Sequence, residues 1–121
     1  MRLFALRGAT TVERNDAARI LDRTSELLET VMARNELAPG DLVSCIFTVT
    51  DDLDAEFPAK AARAIGFDRV PLLCAREIPV PGSMPRVIRV LIHYHAPAEH
   101  VPEHPYLHEA RGLRADLHAA Q

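Results

Sequence analysis

The sequence of 121 residues contains no tryptophan, and its aromatic content is four Phe and two Tyr. Any core must therefore be mostly aliphatic. At this length one domain, 1–121, is expected, burying roughly two-thirds of its unfolded surface. That leaves little surplus, and association between subunits would supply further burial. Positive charge is also scarce: 14 Lys and Arg stand against 17 Asp and Glu, a formal net charge of −3. A general nucleic-acid binder is excluded on that balance, so any positive site must be a local cluster. No apolar run approaches the roughly 18 residues of a membrane span. The opening "MRLFALRGATTVERND" turns polar too early for a signal peptide. Only two cysteines occur, Cys45 and Cys74, both in apolar segments without metal-ligand spacing. Reduced thiols in a cytoplasmic protein are expected.

The chain also lacks a Gly-rich phosphate loop, a G-x-S-x-G elbow and any ordered Ser-His-Asp set. No nucleotide, metal or other cofactor is expected, and no committed nucleophile.

What is present has a clear order. "RLFALR" reads as a strand closed by Gly8. "NDAARILDRTSELLETVMARN" reads as a long helix, with Asn15 the candidate N-cap and an apolar stripe of Ala17, Ile20, Leu21, Leu27, Leu28 and Val31. "LVSCIFTVT" is a nearly apolar and hence central strand. "DDLDAEFPAKAARAIG" leads through a loop into a short helix, with Pro58 in its first turn and Gly66 past its end. "RVPLLCAREI" and "RVIRVLIHYH" are two further strands, expected to be antiparallel neighbours across "PVPGSMP". The tail from Ala96 is rich in Pro and His, mostly loop, with room for a short helical turn. The order β-α-β-α-β-β predicts an α+β fold: a mixed sheet with one long and one short helix on one face. The other face then needs cover, and a homo-oligomer provides it.

The last strand raises the chemical question. Val87, Arg89, Leu91 and His93 share one face, while Ile88, Val90 and Ile92 share the other, so a guanidinium interrupts a strand expected to be buried on both sides. An unpaired buried guanidinium costs several kcal/mol. Either Glu77 on the neighbouring segment pairs with it or a ligand does. Arg7 at a strand edge, and Lys60 and Arg63 three apart on the short helix, add positive charge. Each also has a plain reading as a solvated surface residue, and Arg63 has Asp54 and Glu56 as candidate partners. His93, His95, His100 and His104 invite a metal site, but no carboxylate-rich motif completes one. Cys74, flanked by "PLL" and "A", reads as a packed thiol. The set suits binding a small dianion, or a reaction needing only orientation and electrostatic stabilisation.

"LRGATTVE", "FPAKAAR", "VPLLCAREI" with "RVIRVLI", and "YLHEARGLRADL" occur in this order and span nearly the whole chain. Together they resemble the monofunctional chorismate mutases of the trimeric, α/β-barrel-like class. The resemblance implies a cytoplasmic homotrimer with three sites at subunit interfaces, rearranging chorismate to prephenate in aromatic amino acid biosynthesis. It implies Arg7 as the carboxylate-binding arginine. Phe57, Ala59, Lys60 and Arg63 would close one side of the pocket, with Leu73 beside it. Cys74 and Glu77 would contact the ring hydroxyl, Arg89 would face the ether oxygen, and Tyr106 would lie near a carboxylate. Leu113 and Arg114 would belong to a covering C-terminal segment. Arg89, Glu77 and Arg7 are the expected catalytic residues.

Leu73 departs from the small polar residue common before the cysteine, and "PVPGSMP" is richer in proline than usual. Cys74 and Glu77 are three apart, so a bend near Ala75 or Arg76 is required for both to line one pocket. Two other readings stay open: an imine or enamine hydrolase on a similar fold, which lacks the "FPAKAAR" block, and a non-catalytic trimeric sensor of a shikimate-pathway metabolite.

Overall fold

Residues 1–113 are described by a computed structural model. Strand β1 spans Arg2–Thr11, helix α1 Ala17–Arg34, β2 Leu42–Val49, helix α2 Pro58–Ala64, β3 Leu72–Arg76 and β4 Val87–Ala96. Short 3-10 turns occupy Pro39–Asp41 and His108–Ala110. Among the described residues no helix is long and apolar enough to cross a membrane.

The four strands form one sheet in the order β1-β4-β2-β3. β4 runs antiparallel to both β1 and β2, whereas β3 lies parallel to β2 at the edge. The expected β3–β4 hairpin is therefore absent. A parallel pair needs a crossover longer than a turn, and α2 supplies it between β2 and β3.

Helix α1 begins one residue later than the cap reading placed it. Asp16, not Asn15, is the N-cap, its carboxylate accepting from the Arg19 N–H at 3.1 Å. The Asn15 side chain instead accepts from the Asp54 and Ala55 N–H groups at 3.1 and 3.0 Å, tying the loop after β2 to the start of the helix. Past α2, Gly66 takes φ +104°, the left-handed conformation that closes a helix without a Cβ penalty.

Both helices pack on the same face of the sheet. Leu27, Leu28 and Val31 of α1 and Ala59 and Ala62 of α2 meet Leu6, Cys45, Phe47, Val90, Ile92 and Tyr94 in one buried cluster. Cys45 lies so deep there that burial pushes its thiol up to about 12.

The opposite face is largely uncovered by the described residues. Strict alternation puts Leu3, Ala5 and Arg7 of β1, Arg89, Leu91 and His93 of β4, Ile46 and Thr48 of β2, and Leu73 of β3 on it. Leu3 is 55% and Leu73 60% exposed. Among the described residues only one end is closed, where Ala9, Val87, Tyr106 and Ala110 form a small separate core with Met84 and Leu113 against it.

The tail builds that closure. The Ala9 N–H donates to the Pro105 carbonyl at 3.1 Å and the Leu107 N–H to the Ala9 carbonyl at 2.9 Å, so the tail lines the free edge of β1. Gly8 permits the approach: a Cβ there would lie 3.0 Å from the Pro105 oxygen and 3.3 Å from Leu27. β1 thus runs through Gly8 to Thr11 instead of ending before it. Asn35 anchors the same segment, donating to the Glu103 carbonyl at 3.0 Å and accepting from its N–H at 2.8 Å.

Candidate active site

Arg89 lies at the centre of the open sheet face, directly between Ala9 of β1 and Thr48 of β2. Its side chain is 45% exposed, not buried on both sides as the strand's composition suggested. The reason is simple: the apolar neighbours on its face, Leu91 above all, have no covering layer among the described residues of one chain.

Glu77 answers the pairing question. The strand path of β3 continues one residue beyond Arg76, where the Glu77 N–H donates to the Val49 carbonyl at 2.8 Å. Its carboxylate turns onto the open face, where Oε2 forms an ion pair with Arg89 Nε at 3.1 Å and accepts the Thr48 hydroxyl. The terminal nitrogens of Arg89 and Oε1 of Glu77 make no hydrogen bond among the described residues. A cation with free donors thus stands beside a carboxylate with a free acceptor.

Arg7 projects from the same face, opposite Leu91 and one β-period from Ala9. Its side chain makes no ion pair among the described residues, while its N–H donates to His104 Nδ1 at 3.0 Å. Tyr106 is bridged to Ala9, the residue across from Arg89, and Leu113 packs against the same small core. One chain therefore gathers Arg7, Arg89, Glu77, Tyr106, Leu113 and Leu73 on or beside one face. The chemistry available is anion binding through two arginines, plus acceptance of one hydroxyl.

The sequence profile of the family described as chorismate mutase type I matches residues 3–117. The chain belongs to the type I chorismate mutases. It is 51% identical over 119 residues to the chorismate mutase AroH of Thermus thermophilus, covering 96% of this chain and 97% of that protein. To the chorismate mutase AroH of Bacillus subtilis it is 39% identical over 120 residues, covering 97% and 94%. A solved chorismate mutase from Clostridium thermocellum superposes with a TM-score of 0.87 at 44% identity, covering 90% of this chain and 98% of that one.

The remaining residues expected of a chorismate mutase site lie elsewhere in the single chain. Ala59 is buried in the helix-side core, and Phe57, Lys60 and Arg63 are exposed around α2, behind the sheet as seen from Arg89. Lys60 pairs with Glu56 at 3.3 Å. The Phe57 N–H, foremost, holds the Glu56 carboxyl below its usual range, with Lys60 and Arg63 adding to the effect. Arg63 makes no ion pair among the described residues. Cys74 sits opposite Phe47 in register and packs toward the helix-side core, while Glu77 faces the other way. The bend that would unite them does not occur, because β3 keeps its register on β2 throughout. Arg114 lies outside the described residues.

The histidines go to separate places. His93 Nδ1 meets the Ser44 hydroxyl at 3.3 Å, His100 Nε2 the Tyr94 hydroxyl at 2.8 Å, and His95 is exposed. Thr48 escaped the sequence reading. Its signal was a hydroxyl residue inside the apolar run "CIFTV", which β-propensity alone explained.

Proposed function

We infer that the protein converts chorismate to prephenate as a homotrimer whose three sites lie between subunits. The observation that carries the reading is the Arg89–Glu77 pair, centred on an uncovered sheet face with its outward donors and acceptor free, in a chain of this family. The reaction breaks one C–O bond as one C–C bond forms within a single molecule. It needs neither proton transfer nor covalent attachment, which suits a site with no nucleophile.

Arg7 binds a substrate carboxylate and holds the enolpyruvyl side chain over the ring, an orientation effect. The terminal nitrogens of Arg89 donate to the ether oxygen as negative charge gathers there, an interaction stronger in the transition state than in the ground state. Glu77 accepts from the ring hydroxyl through Oε1 and balances the positive character of the ring. Tyr106 lies near a carboxylate, and Leu113 covers the site.

Trimer formation explains the remaining residues. Phe57, Ala59, Lys60, Arg63 and Cys74 stand behind the sheet in their own chain, so a second subunit must present them to Arg89 for all to line one pocket. The exposed Leu3 and Leu73 and the half-buried Leu91 are the surface such contacts would bury. Cytoplasmic location accords with reduced thiols.

The test is chorismate consumption by purified, metal-free protein. Prephenate formation supports the reading. Chorismate bound but not consumed would make the protein a sensor instead. Activity lost to a chelator and restored by zinc would move the histidines into the mechanism.

A further inference from the structure

Glu77 is held at three points, and the third is the least expected. Its backbone is fixed by the bond to Val49, its Oε2 by the ion pair with Arg89, and the same Oε2 by the Thr48 hydroxyl. Thr48 faces Arg89 across β2–β4 and Ala75 across β2–β3, so the rigid sheet interior aims its hydroxyl. We propose that Thr48 is a positioning residue for the rearrangement: by occupying Oε2 it keeps Oε1 of Glu77 turned outward, and it keeps the terminal nitrogens of Arg89 free.

The argument rests on the reading of Glu77 and Arg89 given above. A carboxylate beside an arginine has a competing arrangement, the bidentate fork in which both oxygens take parallel N–H donors. In that geometry Glu77 would turn Oε1 onto a terminal nitrogen of Arg89. It would lose its free acceptor and also quench the donor meant for the ether oxygen. The Thr48 hydroxyl opposes the fork by holding Oε2 from the β2 side. With Thr48 in place, one oxygen serves the protein and the other remains for substrate. The side chain is 21% exposed at Glu77 and half-buried at Thr48, which limits competition from water.

Thr48→Val keeps the β-branched shape and removes only the hydroxyl, so the strand should tolerate it. The expected result is a kcat lower by about tenfold to a hundredfold, the span of one hydrogen bond to a charged group, with KM changed far less. Thr48→Ser restores the donor and should recover most of kcat. The deciding measurement is a double-mutant cycle with Glu77→Ala. If Thr48 acts through Glu77, Thr48→Val costs nothing further once Glu77 is gone. An equal loss in both backgrounds overturns the proposal while leaving the role of Glu77 intact. Full activity in Glu77→Ala alone overturns the reading of Glu77 and the proposal with it.

Discussion

Arg89→Ala separates a catalytic arginine from a structural one, because the two roles predict different magnitudes. Losing one preorganised donor at a developing oxyanion costs on the order of 3–4 kcal/mol, a factor of roughly 10²–10³ in kcat, and a charged donor should cost at least that. The stability cost is smaller. The Arg89 side chain is 45% exposed and Glu77 21%, so solvent screens much of their attraction. Such a pair contributes about 1 kcal/mol or less. Glu77 is not orphaned either, since the Thr48 hydroxyl still donates to Oε2. The expected melting shift is a few degrees at most, roughly 3–6 °C per kcal/mol for a domain of this size. KM should move little, because the ether oxygen carries little charge before reaction. Arg89→Lys keeps the charge but not the planar fork, and should recover only part of kcat. The assay is kcat and KM at matched folded fraction, with thermal melts by circular dichroism alongside. A variant that melts far lower while its folded fraction turns over at the wild-type rate would refute the assignment.

Subunit mixing tests the shared site. Arg63→Ala and Arg89→Ala lie on opposite sides of the sheet in one chain, and if the site is shared as proposed, a randomly reassembled mixture of the two inactive variants should regain about a quarter of full activity; no recovery, or an active monomer by light scattering, rejects it. Gly8→Ala should cost about 1–3 kcal/mol in thermal stability, because its Cβ would press on the Pro105 oxygen at 3.0 Å; an unchanged melt would show that the tail yields freely. The acid limb of stability should depend in part on Glu26, whose carboxyl is held below its ordinary value chiefly by the hydrogen bond from His108. That contribution is whole above the unfolded value near pH 4.3, and fades as pH falls through the lowered folded value. Glu26→Gln should therefore flatten the melting-temperature profile below about pH 4.3; an acid limb identical to that of the unaltered protein would refute it. In thiol labelling at mild alkaline pH, Cys45 should resist modification until the protein unfolds, since it is 1% exposed and its thiol is pushed up to about 12.

Features that depend on local chemistry were legible in the sequence. The α1 stripe, the Gly66 end of α2, the helix-side location of both helices and the central place of β2 follow from periodicity and turn residues, and the structure reproduces them. Asn15 and Asp16 are adjacent good caps, and only the tertiary demand of the Asp54–Ala55 backbone decides which one caps the helix. Strand order was not legible. The link between β3 and β4 looks like a hairpin connection, yet parallel pairing of β3 on β2 leaves β4 to fill the space between β1 and β2. Gly8 was misread for a related reason. A glycine in a strand signals either an end or a close approach, and the approaching Pro105 lies 97 residues further along the chain.

Arg89 shows why the site was only half legible. Period-2 alternation correctly separated it from Val90 and Ile92, and the family resemblance singled it out with Glu77. What alternation cannot say is whether a face with Leu91 and Ile46 on it is covered, because cover depends on chains as well as elements. The apolar neighbours argued for burial, and the isolated subunit leaves them open. The same ambiguity governs Cys74. Its place three residues before Glu77 demanded either a bend or two different sides of the sheet, and β3 keeps its register. Cys74 therefore joins Arg63 and Phe57 on the side away from Arg89. If the sites lie between subunits, as proposed, a list of residues drawn along one chain mixes two halves of different pockets. Each subunit would contribute its Arg89 face to one site and its α2 side to another. On that account the partly exposed guanidinium and the uncovered leucines have one cause: a sheet face shaped for a second chain as well as for a substrate.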